Sequence, residues 1–248
     1  MQNAVAIPRC YRKRRVRCAP MGFGLGLRLS HGTAVGQAGP AFPALATALA
    51  FRYVSRVGAT PGATFTWADQ GPGAHNATQA AGGNQPTLNA GGFKGQSFVT
   101  FGATKWLSAS FSIATPCELF CAFKTTTPAS NQYVSDFGTN SLILNINTNN
   151  FNLYSGGTAF GTGPVSANTI HYANGQYNGA SSVVSLDAGS DVTGSPGIGG
   201  ETGTFTVGNV GSHNTGLLGD LYEVFGFGSI LSSGDRTSVK AYLAGWYS

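Results

Sequence analysis

From about residue 44 onward, apolar residues recur at every second position in short runs, and Gly, Asn and Ser break each run. A period of two is the signature of strands buried on one face, and runs this short leave little room for helices. Ala48–Ser55 alternates through Leu49, Phe51 and Tyr53. Thr64–Trp67 is short and ends in the turn Asp69-Gln70-Gly71-Pro72-Gly73. Ser97–Phe101, Cys117–Lys124, Tyr133–Gly138, Ser141–Asn147, Phe151–Ser155, Thr169–Tyr177, Ser181–Asp187, Thr204–Asn209 and Leu217–Phe227 complete the set. Roughly ten strands at about 8–15-residue spacing predict an all-β fold, an antiparallel two-sheet jelly-roll sandwich.

One segment has helical period. Ser232 is a candidate N-cap with Asp235 three positions on, and Val239, Tyr242, Leu243 and Trp246 fall on one stripe. A single C-terminal helix packed on the sandwich is expected. No apolar run reaches the ~18 residues of a membrane span, and Gly is too frequent for a coiled coil.

The charge is segregated. Arg9, Arg12, Lys13, Arg14, Arg15, Arg17 and Arg28 are seven of the 14 basic residues, and no acid precedes Asp69. The remaining 220 residues hold seven basic and nine acidic groups, so a nearly neutral body follows a basic arm. Within the arm, Phe23, Leu25, Leu27 and Leu29 alternate with Gly22, Gly24, Gly26 and Arg28. That reads as an extended strand with a bare face suited to strand addition. It is not a nucleotide loop, because the GxGxxG spacing is absent. The expected division is an extended N-terminal arm and linker over 1–43 and a sandwich over 44–248. An arm of this charge suits an anionic partner. Translation starting at Met21 is the bland alternative. No secretory signal is evident, because Pro8 and the basic cluster interrupt before an apolar core forms.

Three segments resemble the concanavalin A-like, laminin-G-like jelly-roll domains common in bacteriophage and bacterial surface proteins. The first is Trp67-Ala68-Asp69-Gln70-Gly71, followed by His75-Asn76-Ala77-Thr78-Gln79 and Gln85-Pro86-Thr87. The second is Phe93-Lys94-Gly95-Gln96-Ser97 through Phe101-Gly102. The third is Phe205-Thr206-Val207-Gly208, then Gly219-Asp220-Leu221-Tyr222-Glu223-Val224 and the terminal helix. The resemblance covers about residues 45–248. It departs from the family at Gln70-Gly71-Pro72, and at Ala103, where the family often has Asp. It implies a structural virion protein of a tailed phage, a capsid decoration (cement) or head-fibre protein made in the host cytoplasm. The arm would then anchor it to the major capsid protein or another virion protein, and self-association, as a trimer, is expected.

The alternative is a glycan-binding module of a tail fibre or a bacterial surface lectin, recognising host surface glycan. Tyr133, Tyr154, Tyr172 and Tyr177, with Phe160, lie among many Asn, Gln and Ser residues and are the candidate sugar contacts. An enzyme is not expected. Glycosidases need two carboxylates about 5–10 Å apart, and Asp220 and Glu223, three apart in a strand, are expected on opposite faces. His31, His75, His171 and His213 are scattered, and His75 and His213 read as turn residues. No G-x-S-x-G elbow is present. No cofactor or metal is expected, and Cys10, Cys18, Cys117 and Cys121 lack zinc spacing and read as reduced thiols.

Overall fold

A computed structural model describes residues 39–138, 141–197 and 203–248. The arm residues Arg9, Arg12, Lys13, Arg14, Arg15, Arg17, Phe23, Leu25, Leu27 and Leu29 lie outside the described residues.

The described chain is a sandwich of two antiparallel sheets. The first sheet runs edge to edge through Val192–Gly194, Ser182–Leu186, Ile170–Tyr177, Cys117–Thr125, Gly219–Phe227, Phe98–Phe101 and Thr87–Asn89. Leu49–Val54 shares one edge of Gly219–Phe227 with Phe98–Phe101. The second sheet runs through Phe160–Thr162, Asn150–Tyr154, Ser141–Asn147, Gln132–Phe137, Phe205–Val207, Leu107–Ala109, Ala77–Gln79, Phe65–Trp67 and Ala59–Thr60. Between them lies the main core, in which Phe51, Tyr53, Trp67, Phe123, Phe137, Phe151, Leu144 and Phe205 are fully buried. Rings dominate it: Phe51, Phe111, Phe137 and Phe205 contact one another at centroid distances of 4.5–6.1 Å.

The two sheets differ in what covers their outer faces. The helix Ser233–Tyr247 lies on the first sheet. The Asp235 amide donates to Ser232 Oγ at 3.1 Å, which caps it. Its buried stripe is Val239, Tyr242, Leu243 and Tyr247, not Trp246. Trp246 stands at the flank, where its Nε1 donates to the Pro40 carbonyl at 2.9 Å. Phe42 packs edge-on to Phe225 and Tyr242. Residues 40–42, expected as linker, therefore help seal this layer. Because both faces are covered, Cys117–Thr125 and Gly219–Phe227 are buried almost throughout and lose the in-out alternation.

Two fully buried carboxylates sit under the helix. Glu223 accepts from Arg52 Nε at 2.8 Å and from the hydroxyls of Tyr242 and Tyr247 at 2.9 and 3.1 Å. Glu118 accepts from Arg236 Nε at 2.8 Å, Asn174 Nδ2 at 2.7 Å and the Leu231 amide at 2.9 Å. The expectation that Asp220 and Glu223 face opposite ways is corrected here. Leu221 pairs with Phe123 and Glu223 with Ala122, so Tyr222 is an extra residue in a β-bulge. The bulge puts Tyr222 and Glu223 both on the helix side, the side that also holds Asp220, in ion pair with Lys124 at 2.5 Å.

Candidate functional site

Among the described residues no long helix covers the outer face of the second sheet, and its side chains are polar by sequence period. In Ser141–Tyr154, Leu144, Ile146, Phe151 and Leu153 turn into the core. Asn145, Asn147, Asn150, Asn152 and Tyr154 take the other positions. Thr148 and Asn149, at φ of 50° and 63°, form the two-residue turn that joins the strands. That turn fixes the register in which Asn145 opposes Asn152 and Ile143 opposes Tyr154. On the other side Tyr133 opposes Asn145.

Tyr133, Ile143, Asn145, Tyr154, Asn131, Asn147 and Ala159 thus surround a depression of about 280 Å³. Both tyrosines are half-buried. Asn145 is only 7% exposed, and its Nδ2 donates to Asn131 Oδ1 at 3.2 Å. Its Oδ1 is buried and has no partner. An acceptor in that state costs about 1–3 kcal/mol, a penalty that a bound hydroxyl or amide group would relieve. None of the seven lining residues is charged.

Tyr172 and Tyr177 do not join this site. Both sit on Ile170–Tyr177, an interior strand of the doubly covered sheet. Tyr172 packs in the layer under the helix, and the Tyr177 hydroxyl donates to the Ile143 carbonyl at 2.6 Å. Burial pushes the Tyr177 hydroxyl well above its ordinary pKa. Phe160 is packed against the core.

Several other titratable groups among the described residues have structural partners. Asp69 accepts from the amides of Arg52, Gly71 and His75 at 2.7–2.9 Å and so shapes the turn after Trp67. Asp187 meets His171 Nδ1 at 2.7 Å, and Asp191 meets Lys240 at 2.8 Å. His75 stacks on Phe111. Among the described residues, no cluster of three or more His, Cys, Asp or Glu side chains is placed to hold a metal ion. No helix described is long and apolar enough to cross a membrane. Cys117 and Cys121 are buried in the core, and burial pushes the Cys121 thiol far up. A larger depression of about 700 Å³ lies beside the helix, over Phe98 and Tyr222. Its lining cation, Lys124, is taken by Asp220.

The sandwich is similar to part of a glycosidase chain. Trypanosoma rangeli sialidase in complex with sialic acid matches at 13% identity and a TM-score of 0.59, over 83% of this chain and 36% of that one. The same sialidase with 2,3-difluoro-KDN matches at 14% identity and 0.56, over 88% and 35%. An α-L-arabinofuranosidase matches at 15% identity and 0.55, over 73% and 50%. The chain therefore spans a third to a half of the length of these proteins. No family model and no curated protein matches it. At such identities the likeness shows a fold. It also overturns the expectation that the chain is not an enzyme: that exclusion relied on absent motifs, yet sialidase and arabinofuranosidase chains contain this sandwich.

Proposed function

We propose that the chain is a glycan-binding module and that the depression between Tyr133 and Tyr154 receives the sugar. The observation that carries this is the unpartnered Asn145 Oδ1, buried between two half-buried tyrosines on the open face of the second sheet. A sugar ring offers two surfaces. Its C–H face packs on aromatic rings, and its hydroxyls meet amides that would otherwise lack partners. The depression supplies both. The carbohydrate-active chains that share this sandwich support the reading at the level of fold. A place on a phage particle, with capsid partners and a trimer, stays an expectation from the resemblance and the basic arm and is no part of this proposal.

The test is titration of the full chain with a panel of neutral and sialylated oligosaccharides. Binding is expected, with a loss of tenfold or more in Tyr154→Ala and in Asn145→Leu. A wild-type chain that binds no sugar, or variants that bind as wild type does, would overturn the reading.

A further inference from the structure

The same face of the second sheet has a second feature. Thr66, Thr78, Ser108, Thr206 and Asp136 pair in register across five neighbouring strands, one residue from each. Phe205 and Val207 are core residues, so Thr206 between them points outward. Above this row the rings of Trp106 and His213 stack at a centroid distance of 3.7 Å and 8° between planes. With Ser108, Thr206 and Gly211 they line a depression of about 230 Å³. Thr206 is 1% exposed, and its Oγ1 is buried with no partner.

This depression shares two features with the first, an aromatic wall and a buried polar atom lacking a partner, and offers Ser and Thr hydroxyls where the first offers amides. Tyr133 and Asp136 lie on one strand, and Phe205–Val207 is its neighbour. Two strand spacings and about three residues along the strand place the two depressions roughly 10–15 Å apart, a span of a few sugar rings. No Lys, Arg, Asp or Glu lines either one. Burial holds the His213 imidazole below its ordinary pKa, so the ring is neutral at neutral pH.

We infer that the Trp106–His213 depression is a second sugar subsite and that the ligand is an uncharged oligosaccharide lying across the strands. This rests on the reading of the Tyr133–Tyr154 depression as the first subsite. An anionic sugar would bring a carboxylate to surfaces that offer it no cation, and a desolvated, unpaired charge is costly. A neutral chain brings hydroxyls, which Thr206, Ser108 and Asn145 can bond.

The experiment is calorimetric titration of the full chain with arabino-, xylo-, manno- and gluco-oligosaccharides of increasing length, with lactose and sialyllactose as an uncharged and charged pair. In the series that binds, affinity should rise at least tenfold from one ring to four. Trp106→Ala, and the nearly isosteric Thr206→Val, should return the tetrasaccharide to the affinity of the shorter sugars. Tyr154→Ala should weaken every length. Length-independent affinity, or tetrasaccharide binding untouched in both Trp106→Ala and Thr206→Val while Tyr154→Ala abolishes it, would overturn the second subsite and leave the first standing. Preference for sialyllactose over lactose would overturn the uncharged class. If no sugar binds, or binding survives Tyr154→Ala, the underlying reading fails together with this one.

Discussion

Replacing Thr206 by Val is expected to make the protein more stable. The side chain is 1% exposed, and its hydroxyl is buried without a partner. Burying a hydroxyl unsatisfied costs about 1–3 kcal/mol, and a methyl of nearly the same volume removes that cost. For a domain of this size each kcal/mol shifts the melting temperature by about 2–4 °C, so a rise of at least about 2 °C is expected. Thr125 is the matched control. It is also fully buried, but its hydroxyl donates to Gln132 Oε1 at 2.8 Å. Thr125→Val therefore breaks a bond already made, and should cost about 1–3 kcal/mol. The two variants make the same chemical change, and their predicted effects differ in sign. Thermal and urea denaturation of both, followed by circular dichroism, read the contrast. If Thr206→Val destabilises as Thr125→Val does, the Thr206 hydroxyl has a partner in the free protein. The argument for a ligand at that position would then fall with it.

Three further outcomes are expected. Glu223→Ala should cost about 3–5 kcal/mol in denaturant titrations, because it leaves Arg52, Arg56 and two tyrosine hydroxyls facing an empty acceptor site under the helix. Stability should fall as pH rises above about 10: burial holds the hydroxyls of Tyr53, Tyr177, Tyr222, Tyr242 and Tyr247 above their ordinary pKa, Tyr222 at about 12. The native state then keeps protons that the unfolded chain releases, so this stability is whole below pH 10 and drains away as pH climbs through the folded values, by about 1.4 kcal/mol per pH unit per tyrosine; a flat denaturation midpoint between pH 9.5 and 11.5 would contradict it. Gly208→Ala should destabilise by more than about 1 kcal/mol, because φ there is +76° and a Cβ would run into the Phe101 ring.

The sequence announces its longer strands and its helix cap. Phe51 and Tyr53 enter the core as the period of two requires, although a register shift turns Leu49 to the helix side, and Ser232 with Asp235 marks the start of the helix. The three-residue strands Ala77–Gln79, Leu107–Ala109 and Phe160–Thr162 hold too few residues for a period to show. Their place comes from pairing with distant segments. The candidate site was half legible for the same reason. All four tyrosines lie on strands rich in Asn, Gln and Ser. Tyr172 is covered by the helix and Tyr177 turns into the core between the sheets, whereas Tyr133 and Tyr154 stay half-buried, and that division depends on contacts between segments far apart in sequence. Trp106 and His213 are 107 positions apart, and neither carries a local signal. The register of Ser108 with Thr206, and the bonds from Asn209 to the Ala103 and Lys105 carbonyls, bring them together. Glu118 and Glu223 look like ordinary surface acids until the helix closes over them.

The bulge in Gly219–Phe227 also makes the length of that strand negotiable. Removing one residue from a buried strand ordinarily turns every later side chain to the wrong face. Here Tyr222 is the surplus residue. Without it, Leu221 and Val224 would still enter the core, and Glu223 would still meet the helix, now in strict alternation. A deletion at this one position should register as the loss of a single ring beside Phe98 and Tyr247. The same deletion one strand over, within Cys117–Thr125, would invert the core. At this position the chain can shorten by one residue while the faces of the sheet keep their assignments.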